Sequence, residues 1–167
     1  MLAKPKTPGG RLAASLGWGV TAEVQLGAYE ALSFASQFEP STSSTCEISQ
    51  GNVAIFKGER LLALAYAAKG TKQSIGRISA IQEGPRIWNG DPVAAPVVDL
   101  SFLDGHLFQI GPVANEDAVC AGQGTVPNIY GKPINQAREA LIANGCWRRR
   151  ESAHRRRVLG LMAYLRW

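Results

Sequence analysis

Between residues 46 and 113 short apolar runs are cut by turn residues at a spacing typical of strands. "NVAIF" passes through "KGE" into "RLLALAYAA", "QSIGRISAI" follows, "RIW" reaches Asn89-Gly90, and "VVDLSF" reaches Asp104-Gly105 before "HLFQI". Asn-Gly and Asp-Gly are strong hairpin signals, because a type I′ turn needs positive φ at both central residues. Ile75, Arg77, Ser79 and Ile81 alternate with Ser74, Gly76, Ile78 and Ala80, as they would on the two faces of a sheet. The expectation is an antiparallel meander of about five or six strands, forming a small sandwich or barrel. "RLLALAYAA" fits a helix as well, since period alone does not separate the two in a short apolar run.

The flanks read differently. Residues 1–20 form an irregular lead-in punctuated by Pro5, Pro8 and Gly9-Gly10. Over 21–38, Val24, Ala28, Leu32, Ala35 and Phe38 fall near one helical face with Thr21 as N-cap, which predicts a helix. Residues 114–124, "ANEDAVCAGQG", read as a polar, glycine-rich connection. The expected fold class is α+β: an N-terminal helix, the central antiparallel β-meander, a C-terminal strand-helix unit and a basic terminal helix. The expected divisions are 1–45 (lead-in, helix and linker), 46–124 (β-rich core), 125–147 (strand-helix unit) and 148–167 (arginine-rich tail).

Composition is globular, with 46% hydrophobic and 19% charged residues. There is no uninterrupted apolar run of the roughly 18 residues a membrane-spanning helix needs. The early positive charges precede only a short apolar stretch, a poor signal peptide. Cys46, Cys120 and Cys146 show no metal-ligand spacing, and no metal or cofactor is expected. Cys46 and Cys120 sit at the two edges of the strand-rich region. In an oxidising compartment they would close it as a disulfide; in a reducing one they are separate thiols.

"VPNIYG" reads as a short extended segment and "PINQAREALIANG" as a helix. Pro133 stands early, Ile134, Ala137, Leu141 and Ile142 form the apolar stripe, and Gly145 is the C-terminal stop. These residues resemble the first half of a PASTA repeat, the module attached to penicillin-binding proteins and membrane Ser/Thr kinases. Val126-Pro127, Ile129, Gly131, Ile134, Ala137, Leu141 and Gly145 fall at that family's spacing. The resemblance covers residues 125–145. The repeat's second half, two strands closed by a Pro-Gly turn, is replaced by "CWRRRESAHRRRVLGLMAYLRW". The resemblance implies a cell-envelope or periplasmic setting and peptidoglycan contact, and it carries no catalytic residue.

The net charge of +5 is unevenly placed. From Cys146 onward seven arginines face one glutamate, a net +6, which leaves −1 for the preceding residues. Arg148, Arg149, Arg150, Arg155, Arg156 and Arg157 would neutralise phosphates in a salt-sensitive, sequence-independent way. A helix from about Ser152 would instead lay Val158, Leu161, Met162 and Leu165 on an anionic membrane surface, or dock them on the body and leave the arginines solvated.

Catalytic patterns are missing. The sequence contains no HExxH, GxxxxGK[ST] or GxSxG. His106 and His154 have no neighbouring nucleophile or carboxylate suggesting a triad, and Asp99, between apolar neighbours, reads as an outward-facing strand residue in preference to a buried one with a perturbed pKa. The sequence therefore points to a non-catalytic binding or structural module of the bacterial cell envelope. Trp88, Asn89, Asp91 and Tyr130 are its candidate contacts for glycan, peptidoglycan or protein, with core packing the competing role for Trp88. The alternative is a nucleic-acid-associated accessory protein acting through the arginine tail.

Overall fold

The computed structural model describes residues 2–145 except 43, 44, 69, 72, 73, 83 and 106. The predicted basic terminal helix, its arginines, Cys146, His106 and His154 lie outside the described residues. The chain divides into two compact units, Met1–Val113 and Ala114–Trp167.

The first unit opens with helix α1 (Pro8–Ser15), which starts where the sequence reading expected irregular chain. The Thr7 hydroxyl caps it by accepting from the Gly10 amide, and Pro8 occupies the first turn, where its missing N–H costs nothing. Four strands then run antiparallel as one sheet: β1 (Gly19–Leu26), β2 (Tyr29–Pro40), β3 (Cys46–Lys57) and β4 (Arg60–Tyr66). A second antiparallel sheet holds β5 (Arg77–Ile81), β6 (Gly84–Trp88), β7 (Pro96–Leu103) and β8 (Leu107–Gly111).

The α+β expectation is overturned. Among the described residues the chain is mostly strand, in three antiparallel sheets, with two short helices. The helix predicted over 21–38 is instead the β1–β2 hairpin. Its residues fit both periods, and Gly27 decides: with φ at 60° it takes the first position of a two-residue turn between Leu26 and Tyr29. Gly58 does the same at 61° between Lys57 and Arg60, which makes "RLLALAY" a strand. Asp104 (φ 51°) and Gly105 (φ 72°) turn the chain from β7 to β8 as the sequence indicates. Asn89-Gly90 does not form a hairpin; a loop over 89–95 joins β6 to β7.

Alternation along β2 and β3 gives the first sheet two apolar faces. Leu32, Phe34, Ala54 and Phe56 pack with Val20 against Ala13 of α1. Ala31, Val53 and Ile55 pack on the other face against Ile75, Ile78, Ile87 and Leu100 of the second sheet. The layers are thus helix, sheet, sheet. Tyr29, Phe102 and Phe108 close one end of the core, with ring centroids 4.6–5.5 Å apart.

Between the sheets, backbone meets backbone. A Cβ on Gly51 would collide with the Ile75 carbonyl, one on Gly76 with the Asn89 carbonyl, and one on Gly90 with the Ile48 carbonyl. The Ile48 N–H bonds Gly90 O across the sheets at 2.8 Å, and within the second sheet Gly76 N–H donates to Trp88 O at 2.8 Å. Thr21 donates to Gly76 O at 2.8 Å, and the fully buried Ser33 hydroxyl accepts the Ile78 amide at 3.1 Å.

Asp99 is buried, correcting the outward, solvated placement. It stands directly across the β6–β7 ladder from Arg86 and accepts Nε at 2.6 Å and Nη2 at 2.9 Å. Desolvation offsets much of the attraction in such a pair. Its clearer effect is on register, since a one-residue slip would send the two charges to opposite faces.

The second unit holds a short hairpin, β9 (Glu116–Val119) and β10 (Gly124–Pro127), followed by α2 (Ile134–Ala143). Residues 116–119 are therefore strand rather than connection, and Cys120 and Ala121 turn at positive φ. Gly145 terminates α2 region with φ at 74°, as expected. Ile134, however, is 88% exposed, so the half-buried stripe runs through Ala137, Ala140, Leu141 and Ile142 instead.

Glu23 of β1 ties the N-terminal segment to the sheet by accepting from the Lys6 and Thr7 amides at 2.9 and 3.1 Å and from the Thr7 hydroxyl at 2.7 Å. Partial burial pushes its carboxyl up, but those donors and the Lys6 charge more than offset this and hold it below its ordinary value of 4.5. A carboxyl depressed in the folded state stabilises above its unfolded pKa and loses that contribution as pH falls through the folded one. Glu23→Gln is expected to lower the urea midpoint near neutral pH and to shrink its fall between about pH 6 and about pH 3.

Candidate functional site

The loop that carries Asn89 and Asp91 is closed on itself by one side chain. The Asn89 amide N–H donates to Ala95 O at 2.9 Å, its Oδ1 accepts the Ala95 amide at 2.8 Å, and its Nδ2 donates to Asp91 Oδ2 at 2.6 Å. Beyond it, Gly90 is fixed from two sides, its N–H donating to Ser74 Oγ at 3.0 Å and its carbonyl accepting from Ile48.

The loop walls a cleft of about 190 Å³. Gly90, Asp91, Pro92 and Ala94 form one side, Thr45, Cys46 and Ile48 at the start of β3 form another, and Arg77 of β5 completes it. Arg77 and Asp91 are both exposed and make no ion pair with one another. The cleft therefore offers a guanidinium for a carboxylate or hydroxyl, a carboxylate oxygen for an amine or hydroxyl, and the Thr45 hydroxyl as an acceptor, its proton being donated to Thr42 O at 2.6 Å. It is smaller than the ~300–1,000 Å³ of pockets that enclose whole drug-sized ligands.

The four residues singled out from sequence do not form one site. Asn89 and Asp91 meet in the cleft, but the Asn89 amide is committed to the loop and acts by positioning. Trp88 lies on the opposite face of β6 from core residue Ile87; it is half-buried and donates Nε1–H to Ser79 Oγ at 2.8 Å. Tyr130 belongs to the second unit, 49% exposed, its amide donating to Asn128 Oδ1 at 3.1 Å. Cys46 and Cys120 are free thiols, Cys46 half-buried at the cleft and Cys120 exposed in the β9–β10 turn. The sequence reading missed Arg77 and Thr45 as site residues. Arg77's outward place in the "SIGRISAI" alternation was the available signal; Thr45 gave none, being brought in by the sheet-to-sheet contact of Ile48 with Gly90.

A second, apolar cavity of about 250 Å³ opens between β4 and β7–β8, lined by Ala65, Tyr66, Ile75, Ile87, Val97, Val98 and Ile110. Among the described residues no group of three or more His, Cys, Asp or Glu is arranged to hold a metal ion. No described helix is long and apolar enough to cross a membrane. Comparison with protein-family models, with curated proteins and with solved structures yields no match.

Replacing Asn89 with alanine removes the two side-chain hydrogen bonds of the loop and leaves only the backbone bond from Asn89 N–H to Ala95 O. Amide exchange at Ala95, followed by NMR, is expected to accelerate at least about tenfold, as the loss of roughly 1.4 kcal/mol of protection implies, while core amides such as Ile55 keep their rates.

Proposed function

We propose that the chain is a non-catalytic binding module that holds one unit of a polar polymer, glycan or peptide, in the cleft between Arg77 and Asp91. The observation that carries this reading is the cleft walled by the pinned 89–95 loop, where Asp91 of the loop, Arg77 of β5 and Thr45 before β3 line one space. Preformed walls lower the ordering cost of binding. A bacterial cell-envelope setting and peptidoglycan as the polymer extend the reading from the resemblance of residues 125–145. Muramyl-peptide chains offer sugar hydroxyls, amides, carboxylates and amines, which suit the cleft's mixed polarity.

Co-sedimentation of the 167-residue chain with purified peptidoglycan tests this. The account expects binding that persists at high salt and drops about tenfold or more with Arg77→Ala and Asp91→Ala together, because each removes a charge-assisted hydrogen bond. Replacing Arg148, Arg149, Arg150, Arg155, Arg156 and Arg157 with glutamine should leave it largely unchanged. Binding that vanishes with salt and follows those six arginines would instead favour the nucleic-acid reading.

A further inference from the structure

The two Asn-Gly pairs of the chain, Asn89-Gly90 and Asn144-Gly145, share one chemical weakness, and the fold treats them differently. An asparagine side chain deamidates when the backbone nitrogen of the next residue attacks its Cγ. Glycine, with no Cβ in the way, leaves that approach open. Asn144 is exposed just past α2, and among the described residues no hydrogen bond holds its side chain. Its glycine nitrogen is held by one bond, to Ile142 O at 2.9 Å, at a helix end, where fraying is usual. At Asn89 each reacting group is occupied. The attacking nitrogen of Gly90 donates to Ser74 Oγ at 3.0 Å, the Asn89 Oδ1 accepts the Ala95 amide at 2.8 Å, and the leaving Nδ2 donates to Asp91 Oδ2 at 2.6 Å. Gly90 is buried, and a Cβ there would meet the Ile48 carbonyl. The contact between the sheets thus requires the very residue that makes Asn89 labile.

We propose that Asn89-Gly90 is a latent deamidation site, closed while Ser74 and Asp91 hold the 89–95 loop in place and reactive once the loop lifts from β3. In the open loop the Gly90 amide gives its proton to hydroxide and its nitrogen bonds to Asn89 Cγ. The Cγ–Nδ2 bond breaks, and ammonia leaves with a proton taken from water. A second water then opens the cyclic imide at one of its two carbonyls, leaving aspartate or isoaspartate at position 89. Either product lacks the Nδ2 donor and sets a second carboxylate in the loop with Asp91, so an attractive contact becomes a like-charge one. Isoaspartate also lengthens the backbone by one carbon just before Gly90, whose carbonyl receives the Ile48 N–H across the sheets. The change is one-way: a loop that has lifted and reacted no longer closes in its former register, and the contact between the sheets is loosened.

Peptide mapping by mass spectrometry, after incubation of the 167-residue chain at mildly alkaline pH, follows both asparagines at once. In urea above the unfolding midpoint the two should convert at similar rates, since glycine follows each. In buffer Asn89 is expected to convert at least about tenfold more slowly than in urea, because a hydrogen-bonded loop must open first; Asn144 should slow much less. Ser74→Ala frees the Gly90 amide and should speed Asn89 conversion in buffer roughly two- to tenfold, the range for one hydrogen bond, without changing Asn144. Asn89→Asp reproduces the aspartate product and should accelerate amide exchange at Ile48, whereas Asn144→Asp should not. Conversion of Asn89 in buffer as fast as in urea would overturn the proposal, as would resistance of Asn89 to conversion in urea. Unchanged Asn89 conversion in Ser74→Ala would remove the guard, and unchanged Ile48 exchange in Asn89→Asp would remove the loosening. The urea comparison uses the unaltered chain, so it decides the question even where Ser74→Ala does not fold.

Discussion

At Gly51, Gly76 and Gly90 three separate stretches of backbone approach so closely that no side chain fits between them. Gly51 inside β3 lies against Ile75 and Gly90 just after β6 lies against Ile48 of β3, so these two contacts join the sheets without using side-chain packing, while Gly76 just before β5 meets Asn89 at the end of the second sheet. The hydrogen bonds from Ile48 to Gly90 and from Gly76 to Trp88 need that proximity. Buried backbone groups left unpaired are costly, so the approach and the bonds stand or fall together. The apolar layer of Val53, Ile55, Ile78, Ile87 and Leu100 supplies most of the driving force; the glycine contact sets how the sheets are juxtaposed.

Two consequences follow from this one-sided closure. Where the sheets meet, the 89–95 loop is drawn onto β3, and the cleft with Arg77 and Asp91 forms beside the contact. Away from it, β4 and β7–β8 leave an apolar cavity between them, and among the described residues β4 pairs only with β3. The polar cleft and the apolar cavity are thus opposite results of the same constraint: one lies beside the close contact, the other away from it.

Much of the strand content was legible. The six strands between Cys46 and Gly111 follow from their apolar runs, and Asp104-Gly105 turns as its chemistry requires. The first two strands were hidden because Val24, Leu32 and Phe38 satisfy a helical period by coincidence, while the deciding Gly27 reads as a mere weakness in a helix. Helix α1 was hidden behind Gly9 and Gly10, although Thr7-Pro8 carries a start signal. Asp99 was misplaced because its partner Arg86 is thirteen residues away across a loop, a separation no local pattern reveals. Asn89-Gly90 illustrates the limit best. The sequence marked a turn, and glycine is indeed required there, but to admit the Ile48 carbonyl rather than to make a hairpin.

Equilibrium urea unfolding of Gly51→Ala and Gly90→Ala, with Gly111→Ala as control, measures that dependence most directly. Gly111 lies in β8 with open space where a Cβ would go. The account predicts losses of about 1–3 kcal/mol or more at Gly51 and Gly90, from overpacking against backbone that has no rotamer to relieve it, and a change within about 0.5 kcal/mol at Gly111. Equal, near-neutral effects at all three positions would show that the sheets do not depend on this contact.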